Sequence, residues 1–169
     1  KLWWDLRPSD RWPTREMRIA DVCTNLVDAV CVASLTRCIL RMLYRLRHNN
    51  QRWRIYANML IRENRWRACR YGSTAGDAAG LIDFGRGEIV PYADLLEEIL
   101  DLIRPDAEHF GCVAEVEHAR KILERGTSAD RQRNIYNAAI ERGISPRDAL
   151  VEVADYLITE TSPVRTKPI

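Results

Sequence analysis

A helical pattern running from about Asn25 to Arg47 constrains the fold of this chain more than any other feature. Leu26, Val30, Ala33, Leu40 and Leu43 recur near the spacing of one helix face, and Arg37, Arg41 and Arg45 form an i, i+4 row on another. Thr24 or Asn25 can cap its start, and Arg45, Arg47 and His48 sit where cations suit the helix dipole. The arginine row reads as a solvated face, with a basic docking surface as the functional alternative. Asn49-Asn50-Gln51 breaks the pattern, and a second helix is expected from about Arg52 to Tyr71, with Ile55, Met59 and Trp66 as its buried stripe and Gly72 as its C-terminal cap. Glu63, Arg67 and Arg70 share one face of that helix. Gly72 to Gly80 is a small-residue connector that lacks the Gly-Lys-Ser/Thr ending of a phosphate loop.

The rest of the chain repeats the helical theme. Leu81–Phe84 and Glu88–Val90 flank Gly85-Arg86-Gly87 and predict a hairpin over about 81–90. Pro91 opens a helix from about Tyr92 to Ile103, which Pro105 is expected to stop; a short helix then covers Asp106 to Phe110. Another spans about Val113 to Glu124. Thr127 with Asp130 three residues on reads as a capping box for the next helix. A last helix runs from about Pro146 to Glu160, with Leu150, Val153, Ala154 and Leu157 on one side, and 161–169 reads as a flexible tail.

Two short strands precede all of this, over about 2–7 and 14–19, joined by the turn chemistry of Pro8-Ser9-Asp10. In the second, alternation sends Arg15, Met17 and Ile19 one way and Thr14, Glu16 and Arg18 the other. Glu16 and Arg18 then stand side by side, roughly 7 Å apart along the strand. A carboxylate and a guanidinium so held suit a polyphosphate with its metal: Mg²⁺ prefers hard oxygen ligands, and guanidinium forks onto phosphate oxygens. On the residues alone, an ion pair on a solvated sheet face is the commoner meaning.

Composition narrows the classes. Across 169 residues, 26 basic and 24 acidic side chains leave a formal charge of +2, which gives little support to nucleic-acid binding. No apolar run approaches the length of a membrane span. Cys23, Cys31, Cys38, Cys69 and Cys112 are odd in number and form no Cys-x-x-Cys, so they read as free thiols in a reducing cytoplasm. His48, His109 and His118 have no metal-ligand spacing and read as surface or capping residues.

Three ordered blocks carry a resemblance. Trp4-Asp5-Leu6-Arg7-Pro8-Ser9 followed by Thr14-Arg15-Glu16-Met17-Arg18-Ile19-Ala20-Asp21 resembles the W-D-[IL]-R-P-S … T-x-E-[VM]-R-[IV]-x-D signature of the carboxylate-amine ligases. These form the glutamate–cysteine ligase type 2 family, within the glutamine-synthetase-like fold. Glu63-Asn64-Arg65-Trp66-Arg67-Ala68-Cys69-Arg70-Tyr71-Gly72 is similar to a second family block, and Gly126-Thr127-Ser128-Ala129-Asp130-Arg131-Gln132-Arg133 to a third.

The resemblance implies an α+β, mostly helical fold: the C-terminal part of one catalytic domain, over 1–160. Its first strands would complete a sheet continued by an N-terminal half in cis or in trans, and homo-oligomer formation stays open. The family's early G-x-E-x-E and H-x-H-V-H-x-G-like strands do not occur here. It further implies ATP-dependent joining of a glutamate-like carboxylate to a cysteine-like amine through an acyl phosphate, with ATP and Mg²⁺ required. Residue by residue, Glu16 matches the metal-ligating glutamate, Arg18 the arginine that steadies the transferred phosphate, and Arg7 a second phosphate or substrate arginine. Arg70 and Asn64 match nucleotide- or substrate-contacting positions. The alternative from another class is a non-catalytic helical interaction module, or one subunit of a split enzyme.

Overall fold

The structure, a computed structural model, describes residues 5–73 and 80–162. The order of elements is β1 (Leu6–Pro8), β2 (Arg15–Met17), α1 (Leu26–His48), α2 (Asn58–Tyr71), β3 (Leu81–Asp83), β4 (Glu88–Val90), α3 (Tyr92–Phe110), α4 (Val113–Arg125), α5 (Ser128–Glu141) and α6 (Pro146–Thr161). The α+β, mostly helical class holds. Each sheet is one antiparallel hairpin, β1 with β2 and β3 with β4. Most of the expected connector and tail, and the expected start of the first strand, lie outside the described residues.

The core sits where α1, α3 and α4 meet. Cys38 and Met42 from α1, Leu100, Ile103 and Ala107 from α3, and Val116 from α4 form one buried cluster. The inner face of α1 is thus made by Cys31, Cys38 and Met42, while in the sequence's apolar row Leu26, Val30, Ala33 and Leu43 are exposed and Leu40 is half-buried. Small and sulfur-bearing side chains fill this close packing well, because thioethers and thiols adapt to irregular gaps.

The arginine row of α1 is not simply a solvated face: two of its members are tied to a buried acid and the third to an aromatic ring. Arg41 and Arg45 donate to the carboxylate of Asp106 at 2.5 and 3.0 Å, and Asp106 is 0% exposed. The Arg37 guanidinium lies 3.7 Å from the Phe110 ring centroid, a cation–π contact. Burial pushes the Asp106 carboxyl up, but the hydrogen bonds and charges of Arg45 and Arg41 outweigh that and hold its pKa below the ordinary value.

That buried carboxylate also bears on Pro105. The structure has no break there: α3 is one helix through Pro105 to Phe110. Asp101 and Pro105 both face solvent, where water can satisfy the carbonyl that proline leaves without a donor, while Ile103, Asp106 and Ala107 pin the opposite side. Tertiary packing overrides the local break.

A second ionic knot ties α1 to the later helices. Asp28 accepts from His118 Nε2 at 2.9 Å and from Arg125, with Arg131 3.7 Å away. Arg131 also reaches Glu160 of α6 at 2.8 Å, and Asn25, which caps α1, donates to the same Glu160. His118 is therefore part of a half-buried charge cluster rather than a surface histidine. The capping box is present: Thr127 accepts from the Asp130 amide, and the Thr127 amide donates to Asp130. Cys31 and Cys38 are buried and Cys69 is exposed; all five cysteines are free.

The second helix begins later than its sequence pattern suggests. Residues 51–57 have no regular secondary structure, with Trp53 packed on the core, Tyr56 against Phe84 at 4.6 Å between centroids, and Arg54 donating to Glu98 at 2.5 Å. These side chains find partners on α3 and the β3–β4 hairpin that a helix would turn elsewhere. Ile55, Met59 and Trp66, the expected buried stripe of α2, are exposed.

Candidate active site

The β1–β2 hairpin is built so that its two faces differ. Register places Arg7 directly across from Glu16, with Leu6 across from Met17 and Pro8 across from Arg15. The turn is closed by the Ser9 amide donating to Thr14 O at 2.9 Å, and by Ser9 Oγ accepting from the amides of Arg11 and Trp12. Met17 turns toward α1, where its sulfur accepts from the Thr36 hydroxyl at 3.0 Å. Period-two alternation then sends Glu16 and Arg18 to the face opposite Met17.

Cross-strand neighbours share a face. Arg7 Nε donates to Glu16 Oε2 at 2.6 Å, and Arg18 Nη1 donates to Glu16 Oε1 at 2.9 Å. The Glu16 carboxylate is thus held between two guanidiniums, with its side chain 44% exposed. The sequence leads one to expect Glu16 and Arg18 side by side, with Arg7 as a second arginine; the structure draws the tips of Glu16 and Arg18 into contact and sets Arg7 on the same carboxylate.

The other two candidates sit apart from this triad. Asn64, on α2, clamps β3: its Nδ2 donates to Ile82 O at 3.0 Å and its Oδ1 accepts from the Ile82 amide at 2.7 Å. Arg67 Nε donates to Gly80 O, so α2 grips the second hairpin at two points. Beside Asn64 lies a cavity of about 260 Å³ walled by Trp53, Tyr56, Ile82, Phe84 and Ile99; none of Arg7, Glu16 and Arg18 lines it. Arg70 is exposed in the last turn of α2 and forms no ion pair among the described residues.

One contact was not anticipated. Arg65 Nη1 donates to both carboxylate oxygens of Asp5 at 2.8 Å, joining α2 to the residue just before β1. Asp5 and Arg65 fall in two of the three sequence blocks, but nothing in the blocks pairs them. At the far end of α2, a Cβ on Gly72 would lie 3.9 Å from Asp130 Oδ1, so the second block also approaches the third. Among the described residues no group of three histidine, cysteine or acidic side chains could hold a metal ion.

A mostly helical α+β chain with one charged hairpin face defines a broad class. The particular family follows from comparison with known proteins. Residues 1–150 match the model of glutamate-cysteine ligase family 2, and the chain belongs to that family. It is similar to a protein of Rhodospirillum rubrum named "Putative glutamate--cysteine ligase 2", 63% identical over 161 residues, covering 95% of this chain and 40% of the relative. Proteins of the same name from Jannaschia sp. and Paracoccus denitrificans are 48% and 45% identical over 160 residues, covering 95% of this chain and 41% and 42% of theirs. The chain therefore spans about two-fifths of the length of the curated relatives it matches. No solved structure matches. No helix among the described residues is long and apolar enough to cross a membrane.

Proposed function

We propose that this chain contributes the Glu16–Arg7–Arg18 face to an ATP-dependent ligase that joins a glutamate-like carboxylate to a cysteine-like amine. The observation that carries the reading is one half-exposed carboxylate held between two guanidiniums, Arg7 mostly covered and Arg18 partly exposed, on one face of a hairpin. It stands inside a chain whose relatives are named for glutamate–cysteine ligation.

In this reading a carboxylate oxygen of the acid forms a bond to the γ-phosphorus of ATP, the bond from that phosphorus to the β,γ-bridging oxygen breaks, and ADP leaves. The amine nitrogen then attacks the acyl carbon of the acyl phosphate, the carbon–oxygen bond breaks, and phosphate leaves as the amine gives up its proton. Charge gathers on phosphate oxygens in both steps. Arg18 and Arg7 are set to meet it, and preorganised charges of this kind contribute on the order of 3 kcal/mol each. Glu16 keeps the two guanidiniums from splaying before nucleotide arrives.

The donor chemistry also fits a share in Mg²⁺ binding. Each Glu16 oxygen accepts from one guanidinium, and a carboxylate oxygen has a second lone pair with which to meet a hard cation; this ion is commonly held by one or two carboxylates together with substrate phosphates and water. When bound, the ion would neutralise phosphate charge. Asn64 supports the site indirectly, by fixing α2 on β3; Arg70, exposed at the end of α2, remains a candidate for nucleotide or substrate contact. The remaining three-fifths of the family chain, in cis or in trans, would supply the other ligands. A reducing cytoplasm suits five free cysteines.

The test is ATP-dependent phosphate release by the catalytically complete enzyme across a panel of amino acids, with hydroxylamine present to trap the acyl phosphate. Glutamate-dependent hydroxamate is expected. Phosphate release that needs no carboxylate substrate and yields no hydroxamate would contradict the reading.

A further inference from the structure

The Asp5–Arg65 pair stands beside the triad without belonging to it. Continuing the β1–β2 register by one residue sets Asp5 across from Arg18, and the Arg18 amide donates to Asp5 O at 2.7 Å. Asp5 lies at a bend just before β1, and continuing the strand's alternation to it sets its side chain on the same side as that of Arg7. That face therefore carries two acids and two arginines: Asp5 opposite Arg18, and Arg7 opposite Glu16. Side chains so opposed have Cβ atoms about 5 Å apart. Arg18 thus has a carboxylate directly across from it as well as Glu16 two residues back on its own strand.

Exposed ion pairs are individually weak and readily exchanged. What decides which carboxylate holds Arg18 is how each acid is otherwise engaged. Both oxygens of Asp5 accept from Arg65 at 2.8 Å, while Arg18 Nη1 is on Glu16 at 2.9 Å. Arg65 itself comes from a helix anchored elsewhere, through Asn64 to Ile82 and Arg67 to Gly80.

We propose that Arg65 is a positioning residue for Arg18: by occupying the Asp5 carboxylate it keeps that acid from drawing the Arg18 guanidinium off Glu16 and away from the incoming phosphate. The proposal rests on the ligase reading of the Glu16 face. It adds a role for Arg65, and it explains why an aspartate can stand two residues from Arg7 in a face that has to attract polyphosphate. Charge arithmetic runs the same way: Asp5, Arg7, Glu16 and Arg18 sum to zero, and Arg65 makes the face +1.

Variants of the catalytically complete enzyme test it. Arg65→Met should weaken binding of a non-hydrolysable ATP analogue, read by titration calorimetry, and lower kcat, each roughly tenfold. Arg65→Lys, which keeps the charge, should stay within about threefold of wild type. The decisive variant is the double one: Asp5→Asn added to Arg65→Met should restore both quantities to within about threefold, because the competing carboxylate is gone. A merely structural ion pair would show no such rescue. Failure of Asp5→Asn to rescue overturns the proposal, as does normal analogue affinity in a folded Arg65→Met enzyme whose Glu16→Gln counterpart is inactive. If Glu16→Gln is itself fully active, the ligase reading of this face falls and the role of Arg65 falls with it.

Discussion

Two arginine–carboxylate clusters in this molecule use the same chemistry to opposite ends. Around Asp106, Arg41 and Arg45 close on a side chain that is 0% exposed, between helices that form the core. Around Glu16, Arg7 and Arg18 close on a side chain that is 44% exposed, on a hairpin whose strands are three residues long. Burial makes the first cluster structural, because an unpaired charge there is costly. In the second, Glu16 and Arg18 are exposed enough to be cheap to rearrange, while Arg7, at 18% exposed, is the better held of its two arginines.

The sharpest way to break that contrast is to remove each acid in turn. Asp106→Ala leaves Arg41 and Arg45 part-buried without their counter-ion, and should cost about 2–4 kcal/mol by urea unfolding, scaled down from a fully buried pair because both arginines keep some solvent contact. Acid should act on the same region. The Asp106 pKa is held down by Arg45 and Arg41 against the effect of burial. That of Glu160 is held down chiefly by its hydrogen bond to Arg131, against burial, with help from Asn25. Depressed folded-state values mean that the stabilisation is present above the ordinary carboxylate pKa and is lost as pH falls through the folded one. Stability by denaturant titration should therefore be level near neutrality and drop below about pH 4. A smaller loss is expected from Thr127→Ala, which removes the capping box of α5 and should cost about 1 kcal/mol. The smallest effect belongs to the other cluster: Glu16→Gln should change unfolding free energy by less than about 0.5 kcal/mol. A Glu16→Gln loss as large as that of Asp106→Ala would make the two clusters alike and remove the distinction.

The same contrast separates what was legible in the sequence from what was not. The hairpin face was legible. Period-two alternation put Glu16 and Arg18 on one side without any knowledge of what packs beneath, and the sequence block added Arg7. The capping box at Thr127 was equally local and equally readable. The inner face of α1 was not, because apolar spacing reports which side chains are greasy, not which of them a neighbour covers. Leu26 and Val30 fitted the stripe and are exposed, while Cys38 and Met42 form the core. Pro105 misled for a related reason: the local rule against proline in a helix is weaker than the packing of Ile103 and Ala107 on one side with water on the other. The start of α2 was lost to Trp53 and Tyr56, whose partners lie on other elements. Asp5 with Arg65 needed the tertiary fold, since 60 residues separate them.

The proposed activity requires Glu16 to hold a nucleotide-facing position rather than decorate a surface. ATP turnover by the Glu16→Gln variant of the catalytically complete enzyme, with its folding verified by an unchanged denaturation midpoint, addresses this most directly. We expect turnover to fall at least about a hundredfold. Turnover within about twofold of wild type in the folded variant would contradict the account.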